Sequence, residues 1–120
     1  MSKALTEQEL HNLAMNIVGK QLEENGFEFM AINSELKKNP QYVCLKDKKL
    51  HFIVVKAIVY PNDPKNFDGL ALEKMRDHAI KFEADTFYAG VGLVNADDYN
   101  FPVYLDEPYI VDYEGLIKID

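Results

Sequence analysis

The sequence predicts one mixed α/β (α+β) domain: a helix, a three-strand antiparallel meander, a second helix, a further strand and a short β tail. Three observations predict it. A capped, amphipathic run opens the chain. The most strand-like segment, LHFIVVKAIVY at residues 50–60, is apolar at odd and even positions alike, so both its faces need cover and it belongs inside a sheet. Helical and strand periods then follow one another with no internal repeat, low-complexity stretch or linker, so residues 1–120 read as a single domain.

The elements follow in order. Thr6-Glu7-Gln8-Glu9 is a capping box, in which a hydroxyl and a carboxylate three residues on satisfy orphan N–H groups reciprocally. Leu10, Leu13, Ala14, Ile17, Val18 and Leu22 recur at helical spacing, and Asn25-Gly26 ends the run, predicting a helix over 7–24. FEFMAI (27–32) reads as the first strand, and a loop closed by Pro40 follows. QYVCL (41–45) and residues 50–60 form a hairpin across KDKK. After a Pro/Asn/Asp/Gly loop, Asp68 caps a helix over about 69–84, with Leu72, Met75, Ala79 and Phe82 as its apolar stripe. TFYAGVGLV (86–94) is another buried strand. FPVYL, YIVDY and GLIKI complete the β tail.

Composition bounds the function. The chain has 120 residues, 48% of them hydrophobic and 28% charged, the profile of a globular domain with a core of its own. Cys44 is the only cysteine, so neither an internal disulfide nor a Cys-rich metal or iron–sulfur centre can form. The opening MSKALTEQELHNL lacks the order of a signal peptide, and no apolar run approaches membrane-spanning length. The expectation is a cytoplasmic protein without a membrane role. The net charge of −7 repels phosphate backbones, which argues against nucleic acid as a partner. Charge is segregated. Lys37, Lys38, Lys46, Lys48, Lys49 and Lys56 cluster in 37–56, and seven acids lie in 97–120. The segregation reads either as two solvated faces or as self-complementarity in a homodimer.

Lys56 is the one basic chain within residues 50–60 besides His51. In its plainest reading it is an amphipathic strand lysine, its stem buried and its ammonium reaching water. Within QYVCLKDKKLHFIVVK, however, the chain resembles the core of the PD-(D/E)XK nuclease superfamily, the restriction-endonuclease-like fold. The resemblance spans about residues 7–95. It implies the helix, meander, helix, strand order, with an Asp on the second strand and an acid, a spacer and a Lys on the third. Aligned on Lys56, Gln41 stands at the Asp position and Val54 at the acid position. In the family the two carboxylates hold a divalent cation and the Lys serves the attacking water. A hard ion such as Mg²⁺ needs oxygen ligands, typically carboxylates. Val54 supplies none, and the Gln41 amide is neutral. The resemblance therefore implies a degenerate site with Lys56, Gln41 and Val54 as its remnant, no metal, no cofactor, and action by binding to itself or to another protein.

Two other readings stand beside it. Acids displaced to Glu28, Glu35, Glu73 or Asp77 would rebuild a metal-dependent nuclease, although Glu73 and Asp77 sit where ordinary pairing with Lys74, Arg76 and Lys81 is expected. The chain is also similar in size, charge and element order to secretion chaperones, a class that implies an acidic dimer and a final helix. A further similarity is to small proteins that share a name with the flavin- and nicotinamide-binding component of the sodium-translocating NADH:quinone reductase. The family of that component implies iron–sulfur, flavin and nicotinamide binding, which one cysteine and no dinucleotide fingerprint exclude here. Gly90-x-Gly92 lacks the third glycine of such a fingerprint and lies in a strand.

The remaining features are weighed as structural. His11, His51 and His78 have no metal-ligand spacing and are assigned surface or packing roles. Cys44 reads as a small buried hydrophobe. NADDYN (95–100) departs from the calcium-loop pattern and reads as a solvated turn. Tyr104, Tyr109 and Tyr113 lie in an aromatic-rich tail and are the interface candidates, because interfaces favour tyrosine.

Overall fold

The computed structural model describes residues 3–120. Its elements are α1 (Glu7–Glu24), β1 (Glu28–Ile32), β2 (Tyr42–Lys46), β3 (Lys49–Val59), α2 (Gly69–Ile80), β4 (Asp85–Asn95), β5 (Tyr109–Asp112) and β6 (Ile117–Ile119). The capping box forms as the sequence predicts: the Glu9 N–H donates to the Thr6 hydroxyl, and the Thr6 N–H donates to the Glu9 carboxylate. Gly26, at φ +83°, turns the chain out of α1 in a conformation that a Cβ would penalise.

The six strands form one sheet in the order β1-β2-β3-β4-β5, with β6 also on β4. β1, β2 and β3 are the expected antiparallel meander. The β2–β3 turn is tight, with Lys46 opposite Lys49 and positive φ at both Asp47 and Lys48, the pattern of a two-residue type I′ turn made without glycine. β3 runs parallel to β4, joined through the α2 crossover. β5 and β6 share the outer edge of β4, pairing with its C-terminal and N-terminal halves respectively.

Strand alternation divides β3 between two cores. Ile53 and Val55 pack with Ala14, Val18 and Leu22 of α1, together with Tyr42, Cys44, Val91 and Leu93. Phe52 packs with Ala79 and Ala84, and Val54 with Leu72 and Tyr88, so the neighbouring positions face α2. The prediction that β3 needs cover on both faces is met by this sandwich: Phe52 through Val55 are all buried. Each fully buried Val, Leu or Ile here contributes about 1.5–3 kcal/mol.

Three local expectations are corrected. FPVYL is not a strand. Among the described residues it makes an isolated bridge between Ala4 and Tyr104 rather than a strand, and Phe101 and Leu105 are exposed. Helix α2 ends at Ile80 rather than near 84. Glu83 takes a left-handed φ of 57°, the Ala84 N–H reaches the Ala79 carbonyl, and the Glu83 N–H reaches the Ile80 carbonyl. That is the Schellman closure, with Glu where glycine is usual. Phe82 therefore falls in the cap and is 53% exposed, while Leu72 and Ala79 remain buried as expected.

Gly90 and Gly92 make close approach possible rather than binding a phosphate. Tyr88 donates from its hydroxyl to the Pro64 carbonyl at 2.8 Å, which draws the 61–67 loop across β4. A Cβ on Gly90 would overlap that carbonyl and the Tyr88 ring.

Candidate functional site

Sheet register decides where the three positions of the nuclease-like motif fall. Tyr42 lies opposite Ile53, so Gln41, one residue before β2, stands level with Val54. Val54 and Lys56 share one parity of β3. Gln41, Val54 and Lys56 are thus neighbours in the sheet, and the chemistry available there follows from each side chain. Val54 is 1% exposed and packs on Leu72 and Tyr88. It is a core residue.

Gln41 is also 1% exposed, and every polar atom of its amide is engaged. Its Oε1 accepts from the Val55 N–H at 2.7 Å, and its Nε2 donates to Asn39 Oδ1 at 2.9 Å and to the Lys38 carbonyl at 3.2 Å. The reason is local. The β2 pairing stops at Tyr42, so the next ladder donor of β3, the Val55 N–H, would be left unpaired. The Gln41 side chain stands in for the missing strand. Its own backbone continues the pairing, from Gln41 N to the Ile53 carbonyl and from Asn33 N to the Gln41 carbonyl.

Lys56 is half-buried, and among the described residues no carboxylate lies within ion-pair distance of its ammonium. It lines a cleft of about 300 Å³ with Glu7, Leu10 and His11 of α1, Leu36 and Lys37 of the 33–41 loop, and Ala57 and Val59 of β3. The cleft opens where β2 ends and the loop swings over the uncovered edge of β3. His11 is only 4% exposed, and its Nε2 is buried without a hydrogen-bond partner among the described residues. Burial, and then the Lys56 charge, hold its imidazole below the usual histidine range, with Glu7 acting the other way. Sequence reasoning placed Lys56 at a site and missed this setting. The available signal was Glu7 and His11 at i, i+4, which puts both on one side of α1.

The other candidates resolve into structure. Arg76 reaches Glu73 at 3.5 Å and Asp77 at 3.3 Å on the exposed side of α2, and Glu35 pairs with Lys38 at 4.0 Å. Among the described residues, no three His, Cys, Asp or Glu side chains are grouped so as to hold a metal ion. Cys44 is fully buried, and burial pushes its thiol up to about 11. His51 stacks on Phe87 and meets Phe27 edge to face, and His78 packs near Phe52 and Phe82. In NADDYN, Asn95 is spent on the turn: its Oδ1 accepts from the Asp97 and Asp98 N–H groups.

The three tail tyrosines separate. Tyr104 and Tyr109 meet over α1, lining an open cleft of about 400 Å³ with Leu5, Leu13 and Leu105 and with Glu9, Asp106 and Glu107 at its rim. Tyr113 does not join them. It packs on the main core with its hydroxyl buried and unpartnered, and burial pushes that hydroxyl up to about 12. The turn after β5 carries its ring partly inward, away from the cleft that Tyr104 and Tyr109 line. The residues the tyrosine signal missed are Ile110 and Val111, 41% and 42% exposed on β5, whose four residues are all exposed.

The sheet order carries the segregated charges to its two sides. Lys37, Lys38, Lys46, Lys48 and Lys49 belong to the β1–β3 side, and Asp106, Glu107, Asp112 and Glu114 surround β5. Lys49 pairs with Asp85 at 3.5 Å and Lys65 with Glu114 at 2.6 Å, solvent-exposed contacts that water and salt screen. No helix among the described residues is long and apolar enough to cross a membrane.

Residues 8–119 match the model of a family described as a domain of unknown function, DUF8840. No curated protein and no solved structure matches the chain.

Proposed function

The chain belongs to the DUF8840 family, and on that premise we propose that it is a non-catalytic binding module. In this reading a restriction-endonuclease-like core carries no cation site and docks an extended, basic segment of another protein along the β5 edge. The observation that carries it is β5 itself. It is an edge strand with an unpaired outer side, apolar at Tyr109, Ile110 and Val111, and exposed throughout. Exposed apolar edges are what proteins usually blunt with lysine, proline or a bulge, and they are the template for strand addition. The acids around β5 select for a basic partner and oppose a second acidic copy pairing β5 on β5.

The nuclease-like part rests on the α1, meander, α2, β4 order and on the register that sets Gln41 beside Val54. The inactive part rests on the donor set: an isopropyl group in the core and an amide oxygen already taken by Val55. Homodimerisation through the basic and acidic segments is less favoured. The acids around β5 would repel their own copies in an edge-to-edge pair. The chaperone-like reading expects a final helix where β5 and β6 stand. The displaced-acid nuclease would need Glu73 and Asp77 freed from Arg76.

The test uses two synthetic peptides of alternating sequence, Lys-Val repeats and Glu-Val repeats. The Lys-Val peptide should bind and slow amide exchange over 109–112, and the Glu-Val peptide should not. The variant I110K/V111K should melt like the parent and lose the Lys-Val peptide. Equal binding of both peptides, or protection elsewhere, refutes the edge assignment. A mass that grows with concentration in sedimentation, abolished by I110K/V111K, replaces the foreign partner with a second copy. A rise in melting temperature with millimolar Mn²⁺ removes the inactive reading.

A further inference from the structure

The cleft around Lys56 goes beyond the strand-edge reading and does not depend on it. Its floor and walls are apolar, from Leu10, Leu36, Ala57 and Val59. Its polar groups are two ammoniums, Lys37 and Lys56, one carboxylate, Glu7, and the imidazole of His11. Those formal charges sum to about +1 with the imidazole neutral, a local reversal in a chain of net charge −7.

His11 is the second and independent observation. A nine-tenths buried polar side chain normally has its ring nitrogens paired, because an unpaired buried polar atom has given up its water without replacement. The Nε2 of His11 has no partner among the described residues and is closed off from solvent, while the residue itself borders the cleft. Lys56 is in the same position: a half-buried ammonium with no described carboxylate in reach, on the rim of the same space. The two residues line one cleft at the stretch of β3 edge left open where β2 ends, and the Lys56 charge is near enough to act on the His11 ring.

We infer that this cleft binds a small organic carboxylate, its anionic head between Lys56, Lys37 and the His11 ring and its short apolar body against Leu10, Leu36, Ala57 and Val59. The head meets two cations, with the buried His11 ring bordering the cleft beside them. Glu7 limits the net charge accepted, which favours a monoanion over a dianion. A volume of about 300 Å³ lies at the lower end of small-molecule sites, which fits a ligand of benzoate size and excludes a nucleotide.

The experiment is a titration of the full chain with sodium benzoate at constant ionic strength, read from the carbon-bound ring proton signals of His11 and from the Lys56 side-chain signals. Inorganic phosphate and n-butylammonium are run in parallel. Benzoate should give a saturable shift at His11 and Lys56, with a dissociation constant on the order of 1 mM or tighter. His78, outside the cleft on α2, should not move. K56Q should weaken binding about tenfold. K37Q, a change on an exposed loop that leaves the core untouched, should weaken it in the same direction, so the test survives if K56Q folds poorly. Absence of a saturable His11 shift overturns the site. Equal binding of butylammonium overturns its charge preference. Phosphate binding more tightly than benzoate overturns its apolar half.

Discussion

The change Gln41→Met asks whether this residue is a strand substitute or a spare ligand. Methionine keeps the length and most of the volume and removes every hydrogen bond. Two of the three bonds lost cost little: Asn39 and Lys38 are exposed, so water takes over their oxygens. The third loss is different. Val55 is fully buried in the centre of β3, and its N–H, now bonded at 2.7 Å, would face a thioether. Leaving a buried donor unsatisfied costs about 1–3 kcal/mol. A loss of about 2 kcal/mol corresponds to a melting temperature lower by roughly 5–10 °C for a domain of this length. Urea unfolding gives the free energy with an unchanged slope, and amide exchange at Val55 should accelerate selectively. Gln8→Met is the control, an exposed glutamine on α1 expected to stay within about 0.5 kcal/mol of the parent. A Gln41→Met protein as stable as Gln8→Met, with Val55 exchange unchanged, would refute the argument. It would also return the Gln41 oxygen to the list of available ligands.

Three further outcomes follow from the same structure. Tyr113→Phe removes a buried hydroxyl without a partner and should leave stability unchanged or raise it by up to about 1 kcal/mol. Tyr42→Phe gives up a 2.8 Å bond to the Met15 carbonyl and should lower it by about 1 kcal/mol; urea unfolding of the pair reads the difference, and a reversed order refutes the packing described. Cys44, with its thiol near 11, is about one part in a thousand thiolate at pH 8, so an aromatic disulfide reagent should react only at the rate of unfolding; fast labelling of the native chain would be incompatible with its burial. His11 has a folded pKa below its ordinary 6.5, so the unfolded chain takes up the proton first. Stability should fall as pH drops below about 6.5, level off below the folded pKa, and lose this limb in His11→Leu, as melting against pH will read. Burial and then the Lys56 charge produce the effect, Glu7 opposes it, Lys37 lines the same cleft, and an unchanged acid limb in His11→Leu refutes the assignment.

Much of this molecule was legible along the chain because the signals involved are local. Thr6 and Glu9 bond three residues apart, the apolar positions of α1 repeat every turn, and Asp68 caps the helix that begins beside it, so sequence determined both helix starts and the meander. The apolar run at 50–60 likewise announced a strand covered on both faces. Where the sequence misled, either a local conformation that residue type disfavours or a contact between distant segments was the cause. Glu83 closes α2 early in a conformation that residue type disfavours, FPVYL loses its ladder to lie over α1, and Tyr113 turns inward while Tyr104 and Tyr109 do not.

The site divides in the same way. Sequence alone named Gln41, Val54 and Lys56 and showed that neither Gln41 nor Val54 offers a carboxylate, since ligand chemistry is written in residue type. Only the tertiary structure could show that the Gln41 oxygen is occupied, that Lys56 borders a cleft with His11, and that β5 ends the sheet with its apolar edge uncovered. Each of these depends on which segments, tens of residues apart, are brought together. That pairing is set by the packing of whole faces against one another, a property no short window of sequence contains.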